Sequence, residues 1–480
     1  MSRWIALTLL CAACSAPPEL LPPPFGREKT PRLFFPTGIS STSKGDLVVA
    51  NGNFDHTYDA GTLVTIRHSF FQQMFAQGRG LGLDCSKPVT IPGDPNPQIA
   101  KFRSECDFQI PPAAFAGAAL IGNYSGPLFV DERTPPAGGL GVAYTGSRDS
   151  NGLNRAVVKS DGSLGCTNDL SSTDCRPANI DLLKQATLEG PYAVVPGTSR
   201  VPGEAADRSL VFIGGIVPHI DQILNGTIYT SGTIAALDGS DASLAYSMLA
   251  SNQFLAAGSG VGPMVFVPDR RQLVMSGCYE RRLGSAAGDP PTAKCTGVTN
   301  SLRLLDVDAA SVAAVRIFEF ISGLPTLETV DLQLGGHTLA GDNILWAATR
   351  TADALVEVHL PADPSQPPRT FRAASLPLSP ATILVIPRPP PFATDLIAVT
   401  SLRLGAVMIY DPGEDAVVAQ VERLGDQPWK LELLKPQAGD PADAAWVAAS
   451  VFGNCRIALL EVPFDQPWNA RLRGRAGACP

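Results

Sequence analysis

The stretch "NGNFDHTYDAG" from Asn51 sets Asn51, Asn53, Asp55, Asp59, His56 and Tyr58 within eleven residues. Hard oxygen ligands in a glycine-bounded loop could hold calcium, although the spacing is not that of an EF-hand. The same asparagines and aspartates also close turns by bonding their own backbone, and that reading is the stronger one. Calcium is therefore the single cofactor in view, and no metal ligands are assigned. The histidines (His56, His68, His219, His337 and His359) are scattered, with no HxH or HExxH spacing that would build a metallohydrolase centre. No GxSxG elbow and no GxxxxGK[ST] loop occurs, so no catalytic residue is assigned.

Arginine is the other recurrent chemical group. Arg148 stands with Asp149, Asn151 and Asn154, Arg281 with Glu280 and Arg282, and Arg350 with Asp353; Arg403 and Asn454 occupy two further sites. Each lies in a polar interruption between two apolar runs. Guanidinium forks suit carboxylates and phosphorylated sugars, and in exposed turns they are also simply solvated or paired with acids. The candidate ligand-binding set is Asn51, Asn53, Asp55, Arg148, Asp149, Arg281, Arg350 and Arg403.

The runs that must position these groups repeat seven times along the chain. The best copies are "DLVVANGNFDHTYDAGTLVTI" from Asp46, "ILWAATRTADALVEVHL" from Ile344, "LIAVTSLRLGAVMIYD" from Leu396 and "AAWVAASVFGNCRIALLEV" from Ala444. Weaker ones begin at Gly141, Leu210 and Leu273. A period of about fifty residues with two strands per copy predicts an all-β, seven-bladed β-propeller of four-stranded antiparallel blades over 32–480. Lead-ins at Phe34, Phe115, Pro191, Gly262, Gly336, Ala381 and Pro428 are expected to be the inner strands. The second-to-third-strand connections would then gather on one face, around the mouth of the central channel. An insertion over about 68–112 carries Phe70, Phe71, Met74 and Phe75 at helical spacing, which predicts a short helix on the blade's side. Chain closure is open between a tail pinned by Cys455–Cys479 and an N-terminal strand added to the last blade.

Of 480 residues 45% are hydrophobic and 17% charged, with net charge -8; a basic patch for nucleic acid is lacking and none is expected as partner. Residues 1–13 form a secretory signal, with Arg3 before an apolar run too short to span a bilayer. Ala12-Ala13-Cys14 is similar to a bacterial lipobox, which implies lipidation of Cys14; cleavage to a free protein is the alternative. The proline-rich segment 14–31 would be a tether, and membrane contact is expected through that lipid alone. With Cys11 lost in the signal and Cys14 lipidated, the remaining cysteines fall into local couples: Cys85–Cys106, Cys166–Cys175, Cys278–Cys295 and Cys455–Cys479. Disulfides are the expectation, since zinc-type CxxC spacing is missing.

The pattern "FPTGISS…GDLVVANGNFD…GTLVTI" resembles the YncE-like and lactonase-like seven-bladed propellers, with repeats of the WD40/YVTN kind. The lipobox-like start and the cysteine-bearing insertion are similar to lipoprotein propellers of the myxobacterial type. That resemblance implies an exported protein, lipid-anchored to the cell envelope of a Gram-negative bacterium, at the outer membrane. Its lactonase branch implies a polar constellation at the channel mouth, which maps onto no particular residues here.

The function expected is an envelope-anchored binding module that takes a protein partner or a small anionic ligand at the channel mouth. A lactonase-like hydrolase of sugar-acid lactones is the alternative. A quinone-dependent dehydrogenase is disfavoured, because Trp346, Trp429, Trp446 and Trp468 follow no regular docking motif.

Overall fold

The repeats read as continuous apolar runs because both faces of their strands are covered. Successive strand residues point to opposite faces. In Leu47–Asn51, Leu47 and Val49 join the hydrophobic cluster shared with the last blade, while Val48 and Ala50 join the one shared with the second. In Ala444–Val451, Trp446 and Ala448 face blade 1, whereas Val447, Ala449 and Val451 face blade 6. An outermost strand such as Arg369–Ser375, with solvent beside it, alternates exposed and half-buried residues.

The computed structural model describes residues 22–23, 31–80, 82, 84–87, 104–200, 204–217, 219–224, 227–239, 243–250, 261–279, 299–307, 315–319, 328–350 and 353–479. Within them, seven sheets of four or five strands follow one another along the chain. Their inner strands are Pro36–Ser41, Ser125–Asp131, Glu189–Arg200, Met264–Val267, Glu328–His337, Pro380–Ile386 and Pro428–Leu433. Each inner strand contacts the next, and the last contacts the first, so the ring is closed. One hydrophobic cluster fills each of its seven seams. The chain is a seven-bladed β-propeller.

Two inner-strand expectations are corrected. Phe115–Ile121 is not the lead-in of blade 2 but the outer strand of blade 1, paired with Gly61–Ile66. The insertion separates it from its own blade and leaves it next in sequence to blade 2. The Gly336 lead-in is the end of the inner strand Glu328–His337 and the turn after it. Cys14, the signal and most of the tether lie outside the described residues, as do Arg281 and the Cys278–Cys295 couple's second partner.

The other three cysteine couples are disulfides: Cys85–Cys106, Cys166–Cys175 and Cys455–Cys479. They fit an oxidising, exported environment. No helix among the described residues is long and apolar enough to cross a membrane.

Closure combines the tail with a device outside both sequence expectations. The insertion of blade 1 begins with helix α1 (His68–Gly80), which buries Phe70, Phe71, Met74 and Phe75 in the seam between blades 7 and 1. Phe75 stacks on Trp446 at 4.0 Å between ring centroids. His68 Nε2 lies 2.9 Å from Asp440 Oδ2 of blade 7. Cys85 and Cys106 then pack into the seam between blades 6 and 7. Finally Asp107–Phe108 pairs in parallel with the outer strand Arg471–Ala476, giving blade 7 a fifth strand. Blade 1 thus clasps blade 7 from outside, and Cys455–Cys479 fixes the tail beneath the clasp.

The channel edge is satisfied by side chains. Every inner strand leaves one edge without a strand partner, and such backbone groups need partners when removed from water. Asp331 Oδ2 accepts from Ile383 N at 2.9 Å and Gln333 Oε1 from Val385 N at 3.3 Å. Thr382 Oγ1 donates to Trp429 O at 2.8 Å. Glu432 Oε1 accepts from Ser41 N at 2.8 Å, and Ser40 Oγ from Val130 N at 3.2 Å. Blades 5, 6, 7, 1 and 2 are tied in this way, each to the next around the channel.

Candidate functional site

A repeated backbone corner builds the mouth of the channel. In blades 1, 2, 6 and 7 the residue just before the inner strand has left-handed φ: Phe35 at 47°, Tyr124 at 50°, Ser379 at 58° and Gln427 at 56°. Its carbonyl accepts the N–H of the residue just after the second strand, from Gly52 (3.0 Å), Arg148 (3.4 Å), Leu402 (3.0 Å) and Phe452 (3.0 Å) respectively. The corner thus fixes which residue of each second-to-third loop starts at the channel.

Register along this corner separates the arginines that the sequence placed together. Arg350 is the last residue of Asn343–Arg350, still within the sheet, and its Nε donates to Pro380 O of blade 6 at 3.2 Å. Arg148 follows Gly139–Ser147 by one residue and reaches the mouth. Arg403 lies one residue further round its turn and faces an outer groove between blades 6 and 7, together with Asn454. A shift of a single position redirects each side chain, which spacing in the sequence did not reveal.

The mouth is aromatic. A cavity of about 100 Å³ is lined by Phe54, Arg148, Tyr192, Trp429 and Phe452, among others. Phe54 meets Tyr124 edge-on at 5.0 Å and Phe452 at 5.2 Å. The Arg148 guanidinium carbon lies 5.8 Å from the Phe54 ring centre and 5.7 Å from that of Tyr192. Cation–π attraction of this kind is worth about 0.5–2 kcal/mol and holds a cation without consuming its hydrogen bonds. Arg148 Nε is buried with no hydrogen-bond partner, and the side chain has no ion pair among the described residues. Such a donor fork is ready for an anion.

Below it, a second cavity of about 310 Å³ occupies the channel and shares Pro127, Tyr192 and Trp429 with the mouth. Lys430 Nζ lies 3.4 Å from Asp331 Oδ2 there. The two cavities therefore adjoin across these shared walls, with Arg148 at the first and the Lys430–Asp331 pair at the second.

The remaining candidates serve the loops. Asn51 is buried, accepts from Phe34 N at 3.2 Å and donates to Arg32 O and Thr62 Oγ1. Buried Asn53 binds both backbone groups of Tyr58 and the side chain of Asn123. Both are braces under the rim. Exposed Asp55 accepts the N–H and hydroxyl of Thr57, the turn-capping role weighed above. Asp149 accepts from Ser147 Oγ at 2.7 Å, Asn151 from Gly190 N at 2.8 Å and Asn154 from Gly122 N at 2.9 Å. Asp353 accepts from Ser379 N at 3.1 Å. Among the described residues no group of three or more His, Cys, Asp or Glu side chains is placed to hold a metal ion.

Sequence reasoning missed Phe54, Tyr192, Trp429 and Phe452. The one signal present was an aromatic residue shortly after the second strand in both the first and last copies.

No known family profile and no curated protein matches the chain. Several solved structures align with it over most of its length. Hydrazine synthase of Kuenenia stuttgartiensis aligns with TM-score 0.48 and 10% identity over 92% of this chain and 99% of that one. The β-propeller domain of Myceliophteria thermophila Cps50 (Swd1) gives 0.48 and 10%, over 90% and 98%. Apo AztD from Citrobacter koseri gives 0.40 and 12%, over 95% and 88%.

Proposed function

We propose that this propeller is a non-catalytic binding module that takes a small organic anion with a flat apolar body at its channel mouth. The observation that carries the reading is the Arg148 guanidinium, suspended between Phe54 and Tyr192 with a buried, unpartnered Nε beside an aromatic cavity. A carboxylate would pair with Arg148, and the body would stack among Phe452, Trp429 and Tyr192 on the way to the channel. An acidic side chain of a protein partner offers the same chemistry at larger scale. The module is exported and tethered to the envelope by lipid on Cys14, with the proline-rich segment as spacer.

A thermal-shift screen tests the reading. Benzoate, phenylacetate and longer aryl carboxylates should raise the melting temperature, their neutral amides should not, and Arg148→Ala should abolish the shift. Equal shifts for acids and amides, or for wild type and variant, would refute it. Intact-mass analysis of the envelope-extracted protein checks the tether: an unmodified mature terminus would rule lipidation out.

A further inference from the structure

The outer groove between blades 6 and 7 has a chemistry unlike that of the mouth. Its volume is about 610 Å³, and its walls come from the second-to-third turns of both blades, the link between them, and the clasp strand at Asp107. Four arginines (Arg403, Arg423, Arg456 and Arg475) face three carboxylates (Asp107, Glu422 and Asp426) there. An excess of positive charge is thus concentrated on a protein of net charge -8.

The groove is built, not incidental. Arg475 is 1% exposed and donates from Nε to Asp107 Oδ1 at 2.9 Å, and Arg456 donates to the same oxygen at 3.0 Å. One carboxylate is therefore shared by two guanidinium groups. Arg456 Nε is buried without a hydrogen-bond partner, and exposed Arg403 makes no hydrogen bond or ion pair with any described residue. The floor is tightly formed: a Cβ on Gly405 would lie 2.6 Å from Gly425 O, and one on Gly425 2.6 Å from Asn454 Oδ1. Both glycines hold positive φ, at 60° and 130°. Leu404 is the single large apolar side chain in the lining.

We infer that this groove binds an anionic sugar derivative, a hydroxylated body bearing a carboxylate or a phosphate. Forked guanidinium donors at Arg403 and Arg456 receive the oxyanion. Carboxylate oxygens of Glu422 and Asp426 accept from hydroxyls, as they could not from an aryl body. The interspersed acids oppose polyphosphate chains, and a lining with Leu404 as its one large apolar side chain offers little for lipid or aromatic ligands to stack on.

Calorimetric titration of the full-length mature protein with glucuronate, glucose 6-phosphate, inorganic phosphate and glucose tests this. One or both sugar anions should bind, at least tenfold more tightly than phosphate or glucose, and the tighter of the two identifies the oxyanion. Arg403→Glu, on the exposed rim, should weaken binding at least tenfold with an unchanged melting temperature. Arg456→Gln should weaken it similarly, and Arg148→Ala at the mouth should leave it intact. No sugar-anion binding, affinity equal to that of phosphate, or indifference to Arg403→Glu would overturn the inference. Loss of binding in Arg148→Ala alone would also overturn it, by moving the ligand to the mouth.

Discussion

Asp107 and Arg475 stand 368 residues apart in sequence and 2.9 Å apart across the ring's closure. Asp107 belongs to the insertion of blade 1, Arg475 to the outer strand of blade 7. Burial pulls the Arg475 guanidinium below its ordinary range, and the Asp107 charge opposes that shift. The insertion is therefore part of the ring's mechanical closure. Asp107→Ala should destabilise the protein by about 2 kcal/mol in urea unfolding, less than for a fully buried pair because Asp107 is partly wet.

A deeper ion cluster holds the same clasp. Glu461 of blade 7 is 3% exposed and takes Arg79 from helix α1 and Arg473 from its own blade. Removing one partner of a buried pair strands the other, so Glu461→Ala should cost about 3–5 kcal/mol. Urea titration would show this, and retention of wild-type stability would mean that the helix is held by its apolar face and its contacts to Asp440 without the Glu461 cluster.

The disulfide inside the clasp should matter more than the one in blade 2. Cys85–Cys106 closes a separation of 21 residues and Cys166–Cys175 one of 9. Loop-closure entropy assigns them about 3.3 and about 2.6 kcal/mol. Paired Cys→Ser variants of each, compared by denaturant unfolding, should rank in that order.

Stability should fall as pH rises through the weakly acidic range. Burial raises the Glu432 carboxyl from its ordinary 4.5 to about 7, against the lowering effect of the Ser41 N–H and of Lys430 and Lys435. Between those values the native state holds a proton that the unfolded chain has released, so this group's stabilisation is complete below about pH 4.5 and lost by about pH 7. Glu432→Gln keeps an acceptor for Ser41 N and should flatten that slope. Melting temperatures of both proteins from pH 4.5 to 8 check it.

Close backbone approach around the channel makes Gly38 intolerant. A Cβ there would lie 2.6 Å from Leu128 N and 2.7 Å from Gly126 O, both on the next inner strand. Backbone cannot step aside as a flexible side chain can, so Gly38→Ala should cost about 1–3 kcal/mol in the same unfolding assay.

The blade count was legible because seam packing imposes apolar runs on second and third strands, and such runs survive in the sequence. The closed cysteine couples were legible because each lies within one blade or its insertion. Phe115–Ile121 was misread because its small, apolar residues meet either strand role, and hydrogen bonding to Gly61–Ile66 decides between them. The candidate site was less legible. Asn51 and Arg350 end their strands and Arg148 follows its own by one residue, yet only Arg148 reaches the mouth. One residue of register decides a side chain's direction, and repeat boundaries in sequence are coarser than that.

The direct test of the central claim is calorimetric titration of an aryl carboxylate into wild type, Arg148→Lys and Arg148→Ala. Binding at the mouth through a guanidinium fork predicts at least tenfold weaker affinity for Arg148→Ala and a distinct loss for Arg148→Lys, with folding unchanged. Equal affinity across the three proteins would contradict it.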